Sequence, residues 1–190
     1  MRALVILHPG FEEIEAVSPI DLLSRASVEV VSASTTDGRA VLGRSGITLM
    51  ADTLLADAAL EAFDAVILPG GPGIGDLRKN RLLCDLLQRQ HAAGQWLACI
   101  CAAPLLLLDA GLLDGGTRYT CHPSVEEELP GRAEAAAVAL DGTILTSRGA
   151  GTAVEFSLAL IEKLRDRKTA EAVAESICLG GSRTANLQEE

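Results

Sequence analysis

Apolar residues in this chain fall into two kinds of run. Ala3–Leu7, Ala65–Leu68 and Trp96–Ile100 are short and unbroken, with no polar position to face water. Such runs predict strands covered on both faces. Val28–Ser32 reads as another strand, and Tyr119–Cys121 and Ile144–Thr146 as shorter ones. Helical spacing takes over between them. Glu12–Arg25 has Ile14, Val17, Ile20, Leu22 and Leu23 at roughly helical spacing, with acids in its first turn and Pro19 predicting a kink or a second start. Asn80–Ala93 forms a second helical pattern, stopped by Gly94. Thr152–Ala153–Val154–Glu155 has the form of a capping box, opening a helix to about Arg165, and Thr169–Cys178 is the last helix. Gly38–Ala51 holds two extended pieces around Gly43 and Gly46, the pattern of an edge hairpin. Strands alternating with helices predict an α/β fold with a mostly parallel sheet sandwiched between helices.

The 190 residues suit one domain, over 1–179, followed by a loose polar tail at 180–190. Aromatics make up only 3% against 48% hydrophobic residues, so the core is aliphatic. A net charge of −10 argues against nucleic acid or an anionic membrane surface as partner. The apolar start is too short for a signal peptide, and Pro104 interrupts the longest uncharged run, Trp96–Leu108. The chain reads as soluble and cytoplasmic. Its three histidines are scattered, which predicts no metal site, and five cysteines without regular spacing predict no disulfide framework.

Within that frame one thiol stands out. Cys101 lies between the strand Trp96–Ile100 and a second apolar segment, Ala102–Leu108, at the turn from strand to helix. A sulfur beside a helix N-terminus meets unpaired N–H groups that favour thiolate. Cys84, Cys99 and Cys178 fall inside apolar patterns and read as small buried hydrophobes; Cys121, beside His122, reads either way.

Three further segments bear on chemistry. His8–Gly10 and Pro69–Gly73 also follow strands, and open α/β sheets bind ligands at those ends. Gly70–Gly71 suits an N–H donor aimed at an oxyanion, or a plain turn; a phosphate loop fits poorly, because the glycine spacing is wrong and Pro72 removes a donor. Glu12, Glu13 and Glu15 are acids of a helical first turn, any one of which can point inward at the thiol. His122 is either a surface residue or a proton carrier.

Gly10–Phe11–Glu12–Glu13–Ile14–Glu15, Leu68–Pro69–Gly70–Gly71, Ala98–Cys99–Ile100–Cys101–Ala102–Ala103–Pro104 and Leu145–Thr146–Ser147–Arg148–Gly149–Ala150–Gly151–Thr152, in this order, resemble the ThiJ/PfpI superfamily, in its Parkinson-protein-like (DJ-one-like) branch. The resemblance implies a flavodoxin-like fold, a homodimer and no cofactor. It implies Cys101 as nucleophile, Glu15 as the acid that hydrogen-bonds it, Gly71 and Ala102 as backbone donors, and His122 as a nearby histidine. Arg25 and Arg44 match arginines near a subunit contact or anion site. Ala102 stands where peptidase-like members carry histidine, and Pro123–Ser124 follows His122 where amidotransferases need a glutamate. Both departures argue against proteolysis and ammonia transfer. The activity implied is that of a glyoxalase or deglycase acting on small dicarbonyls and their early adducts. The alternative is an oxidative-stress sensor and redox-regulated chaperone.

Overall fold

The computed structural model describes residues 1–130 and 133–180; the expected tail from 181 onward lies outside them. Seven strands form the main sheet: β1 (Arg2–Leu7), β2 (Glu29–Ser34), β5 (Thr53–Leu54), β6 (Ala65–Leu68), β7 (Trp96–Ile100), β8 (Val138–Asp141) and β9 (Ile144–Ser147). Their spatial order is β5-β2-β1-β6-β7-β9-β8, and only β8 runs antiparallel, against β9. The expected mostly parallel α/β sheet is therefore present. β3 (Ala40–Leu42) and β4 (Thr48–Met50) make the expected hairpin, as a separate two-stranded sheet.

The unbroken apolar runs are explained by cover on both faces. Ala3 to Leu7 in β1 and all of β6 are buried. On one face the side chains of Leu4, Ile6, Val66 and Leu68 pack with α4 (Arg81–Ala92) and α5 (Pro104–Asp109), together with the short α2 (Leu55–Ala58) and α3 (Ile74–Leu77). On the other, Val5, Ile67 and Ala98 pack under α1 (Glu13–Arg25), α6 (Ala153–Leu164) and α7 (Arg167–Ser176). Alternation of side chains along each strand feeds the two layers in turn.

Helix ends follow local chemistry where a side chain can reach. Glu12 caps α1 by accepting from the Glu15 N–H at 2.9 Å, and Asn80 caps α4 by accepting from Leu83 at 3.0 Å. Gly94 follows α4 at φ +70°, as a helix stop requires. Pro19 does not restart α1, which is one span; its missing N–H costs a single hydrogen bond within a helix that is well packed on one side.

Three expectations fail for physical reasons. Thr152 makes no cap bond to α6: its hydroxyl is taken by Ser147 Oγ at 2.7 Å and by the Gly149 backbone. Cys178 is exposed beyond the end of α7, at φ +58°, instead of buried within the helix. Tyr119–Cys121 is not a strand. Although buried, it satisfies its backbone irregularly: the Thr120 N–H donates to Thr146 Oγ1 at 2.9 Å, and Tyr119 C=O accepts from Glu134. A side chain does the work of a ladder partner.

That substitution is testable. Thr146→Val keeps the shape but strands the buried Thr120 N–H, at a cost of about 1–3 kcal/mol. We expect a fall in Tm of roughly 3–8 °C by differential scanning calorimetry; an unchanged Tm would show that this bond does not hold the segment.

Candidate active site

The carboxyl ends of β1, β6 and β7 lie side by side, since Val5 pairs with Ile67 and Leu68 with Cys99. The loops that follow them therefore meet, as fold class predicts for a doubly wound sheet. After β7 the chain turns sharply at Cys101, whose φ is +66°. A side chain in the left-handed region is strained and needs support from its surroundings. The Cys101 N–H donates to Ser147 C=O at 2.9 Å, and its own C=O accepts from His122 N–H at 2.8 Å.

The loop after β6 presses against this elbow from the other side. A Cβ on Gly70 would stand 2.7 Å from Cys101 Cβ and 2.9 Å from Ala102 N, so no other residue fits without moving the elbow. Gly71, at φ +110°, is wedged against the backbone of Gly10 and Glu12. The N–H groups of Ala102 and Gly71 lie near enough to the Cys101 sulfur to favour its charged form. The choice among three acids is now settled by geometry. Glu12 spends its carboxylate on the helix cap, and Glu13 spends one oxygen on Ser45 N–H at 2.7 Å. Glu15 alone is fully buried at the elbow, where its Oε2 accepts from Gly70 N–H at 2.8 Å. Its Oε1 has no hydrogen-bond partner, and it faces the sulfur closely enough that each group shifts the other's proton affinity.

The electrostatics differ from the sequence expectation. Burial pushes the Cys101 thiol up to about 12, and the neighbouring Glu15 carboxylate adds to this, against the pull of the Ala102 and Gly71 N–H groups. Position beside a helix therefore does not by itself hold a thiolate. Burial likewise raises Glu15 to about 7, although its bond from Gly70 and the thiol beside it pull the other way. Glu15 thus gains and loses its proton near neutrality while the thiol keeps its own, which suits general acid–base work. When Glu15 is ionised, Oε1 is an open acceptor for the thiol proton; when protonated, it becomes a donor.

Cys101, Ala102, Gly71, Arg44 and His122 line one cavity of about 420 Å³. His122 Nδ1 accepts from Ser124 N–H at 3.2 Å and meets Ser124 Oγ at 2.8 Å, which leaves Nε2 as the protonated nitrogen. Gly149, from the loop after β9, passes between His122 and Glu15: a Cβ there would lie 3.5 Å from His122 Cδ2 and 3.9 Å from Glu15 Oε1. Arg25 is not brought to the site; it pairs with Asp21 on the exposed side of α1. His8 is buried behind the loop, with Nε2 3.3 Å from Pro69 C=O. Sequence reasoning missed Arg78 and Glu128, which also line the cavity. No local signal marks them, because they are ordinary surface residue types in polar stretches. Among the described residues no cluster of three or more histidine, cysteine, aspartate or glutamate side chains could hold a metal ion.

Residues 1–163 match the model of the DJ-1/PfpI family. The chain belongs to that family. Among its relatives is the dj-1beta protein of Drosophila melanogaster, 38% identical over 92% of this chain and 95% of that protein. Another is a Caenorhabditis elegans protein named glutathione-independent glyoxalase DJR-1.2, 32% identical over 93% of this chain and 96% of that one. The oxidized DJ-1 structure of Toxoplasma gondii superposes with a TM-score of 0.90 at 35% identity, covering 94% of this chain and 98% of that chain. The sheet architecture is thus shared with solved relatives, while the sulfur's surroundings are read from this chain's own geometry.

The Cys101–Glu15 pair makes a direct prediction. Alkylation of Cys101 by iodoacetamide, followed by peptide mass spectrometry, should rise through an inflection near pH 7 as the pair loses its first proton. In Glu15→Gln the carboxylate that opposes the thiolate is gone, so the inflection near 7 should vanish and the rate should keep rising above neutrality, at least about tenfold past the wild-type plateau. A Glu15→Gln profile that superposes on the wild type would remove Glu15 from the pair.

Proposed function

We propose that the protein is a cofactor-independent glyoxalase for small dicarbonyls such as glyoxal and methylglyoxal, with deglycation of early adducts as the same chemistry on a larger substrate. The observation that carries this reading is the pairing of Cys101 with a buried carboxyl group that titrates near neutrality, inside a cavity lined by two backbone donors. The family supports it, since one relative bears a glyoxalase name.

In this reading Glu15 takes the thiol proton as the sulfur attacks the aldehyde carbon. An S–C bond forms, the C=O pair moves onto oxygen, and the Gly71 and Ala102 N–H groups meet the developing oxyanion. Proton transfer to that oxygen completes a hemithioacetal. A base then removes the proton on the former aldehyde carbon, and the adjacent carbonyl carbon receives one, giving a thioester of the hydroxy acid. Glu15 and His122 are the groups placed to carry these protons. Water cleaves the thioester, releasing lactate from methylglyoxal and restoring the thiol. Internal oxidation of one carbon balances reduction of its neighbour, so no external redox partner enters.

We further propose that the protein is a homodimer. Ile14 and Val17 on α1, with Leu42, Ile47 and Met50 on the hairpin, are large apolar side chains left 44–67% exposed. The two elements are tied together by the Glu13–Ser45 bond. Such a face calls for a partner, and a second copy supplies the same apolar surface.

Purified protein given methylglyoxal without glutathione should yield lactate, and Cys101→Ser should yield none. A wild type that makes no lactate would sink the enzyme reading. The sensing alternative survives that outcome only if mild peroxide oxidises Cys101 ahead of Cys84 and Cys178 by peptide mass spectrometry. For the dimer, sedimentation equilibrium should return twice the 19.8 kDa chain mass, and Val17→Lys should return one chain. A wild type sedimenting as a single chain would reject it.

A further inference from the structure

Arg78 joins three segments that the chemistry keeps separate. Its Nε and Nη2 fork onto Asp109 Oδ2 and Oδ1 at 2.7 and 2.8 Å, while Nη1 reaches Glu128 Oε2 at 2.6 Å. Asp109 ends α5, the helix that starts just past Cys101. Glu128 ends the 3-10 stretch Pro123–Glu128, whose N-cap is His122. Arg78 itself follows α3, which continues the Gly70–Gly71 loop. Arg78 and Glu128 both line the Cys101 cavity.

The two halves of this clamp are unequal. Arg78 and Asp109 are each 28% exposed and bound bidentately, whereas the Glu128 side chain is 55% exposed and holds by one bond. Bidentate, shielded pairs are the stronger kind, and single exposed ones yield to salt. Within the 3-10 stretch only Val125 is buried, followed at its end by buried Leu129, and the stretch pairs with no strand. Its start is fixed by the His122 N–H bond to Cys101 C=O and its apolar side is seated by Val125 and Leu129, so the Arg78–Glu128 pair is the polar tie across its far end. Asp109 and Glu128 take three of Arg78's five N–H donors and pair its charge, which leaves it a poor anchor for a substrate anion.

We propose that the Arg78–Glu128 pair sets how wide the Cys101 cavity stands open, so that Arg78 is a positioning residue and the pair determines the size of carbonyl compound that reaches the sulfur. The proposal rests on Cys101 as the reacting atom and is independent of which substrate it serves.

The test is chemical labelling of the intact protein, resolved at Cys101 by peptide mass spectrometry. Rates with a small reagent, iodoacetamide, and a bulky one, fluorescein maleimide, are compared in wild type and Glu128→Gln. The bulky-to-small rate ratio should rise about threefold in Glu128→Gln, the scale of one exposed ion pair, with the pH inflection unmoved. High salt should raise the ratio in the wild type and leave Glu128→Gln unchanged. Arg78→Lys, which keeps the charge but loses the fork, should move the ratio the same way. Equal ratios in wild type and Glu128→Gln would overturn the proposal. So would a fall in both rates together with Tm, which is what a merely structural role produces. Because no turnover is measured, either result stands whether or not methylglyoxal is a substrate.

Discussion

The Pro69–Gly70–Gly71 backbone lies within van der Waals range of the Cys101 elbow, and most of the site depends on that contact. Cys101 sits in a left-handed conformation that a side chain rarely adopts, and it is hemmed in on each side. Gly70, for which a Cβ would clash with the elbow, supplies the N–H that fixes Glu15. Its own C=O accepts from Glu12 N–H at 3.1 Å, which anchors the start of α1 to the same loop. One peptide segment thus sets the position of Cys101, of Glu15 and of the helix that carries Glu15.

Burial then decides the chemistry of the pair. A carboxyl group and a thiol withdrawn from water both resist charge, and each charged form makes the other harder to reach. Two N–H groups near the sulfur and one on Glu15 offset part of that cost. The balance leaves the carboxyl group near neutrality and the thiol well above it. In the proposed reaction an acid–base partner of that strength accepts the thiol proton during attack and returns it later.

Around this centre, structural support is graded. The elbow, the loop after β6 and the start of α1 belong to the packed interior and are bound by backbone contacts. The lip from His122 to Glu128 is held by one hydrogen bond at its root, by the buried side chains of Val125 and Leu129, and by a half-exposed ion pair at its tip. Such a division keeps the reacting atoms fixed while leaving their access adjustable.

How much was legible in the sequence follows the range of each interaction. Unbroken apolar runs identified β1, β6 and β7, because a strand with no polar face has to be covered on both sides. The change from strand to helix at Cys101 located the elbow, since local conformation is written in neighbouring residues. Family motifs singled out Glu15, which periodicity alone left equal to Glu12 and Glu13. Only the tertiary structure separated the three, by showing where each carboxylate spends its hydrogen bonds. It also removed the strand expected at Tyr119–Cys121, whose backbone pairs with a Thr146 side chain 26 residues away. Thr152 lost its cap role to Ser147 for the same reason. Arg78, Asp109 and Glu128 carry no local mark at all, as their meeting spans up to 50 residues of chain. Residue patterns determine which segments are buried and how the backbone turns. Which polar groups then face one another is decided by packing, because a hydrogen bond or ion pair depends on where distant segments come to rest.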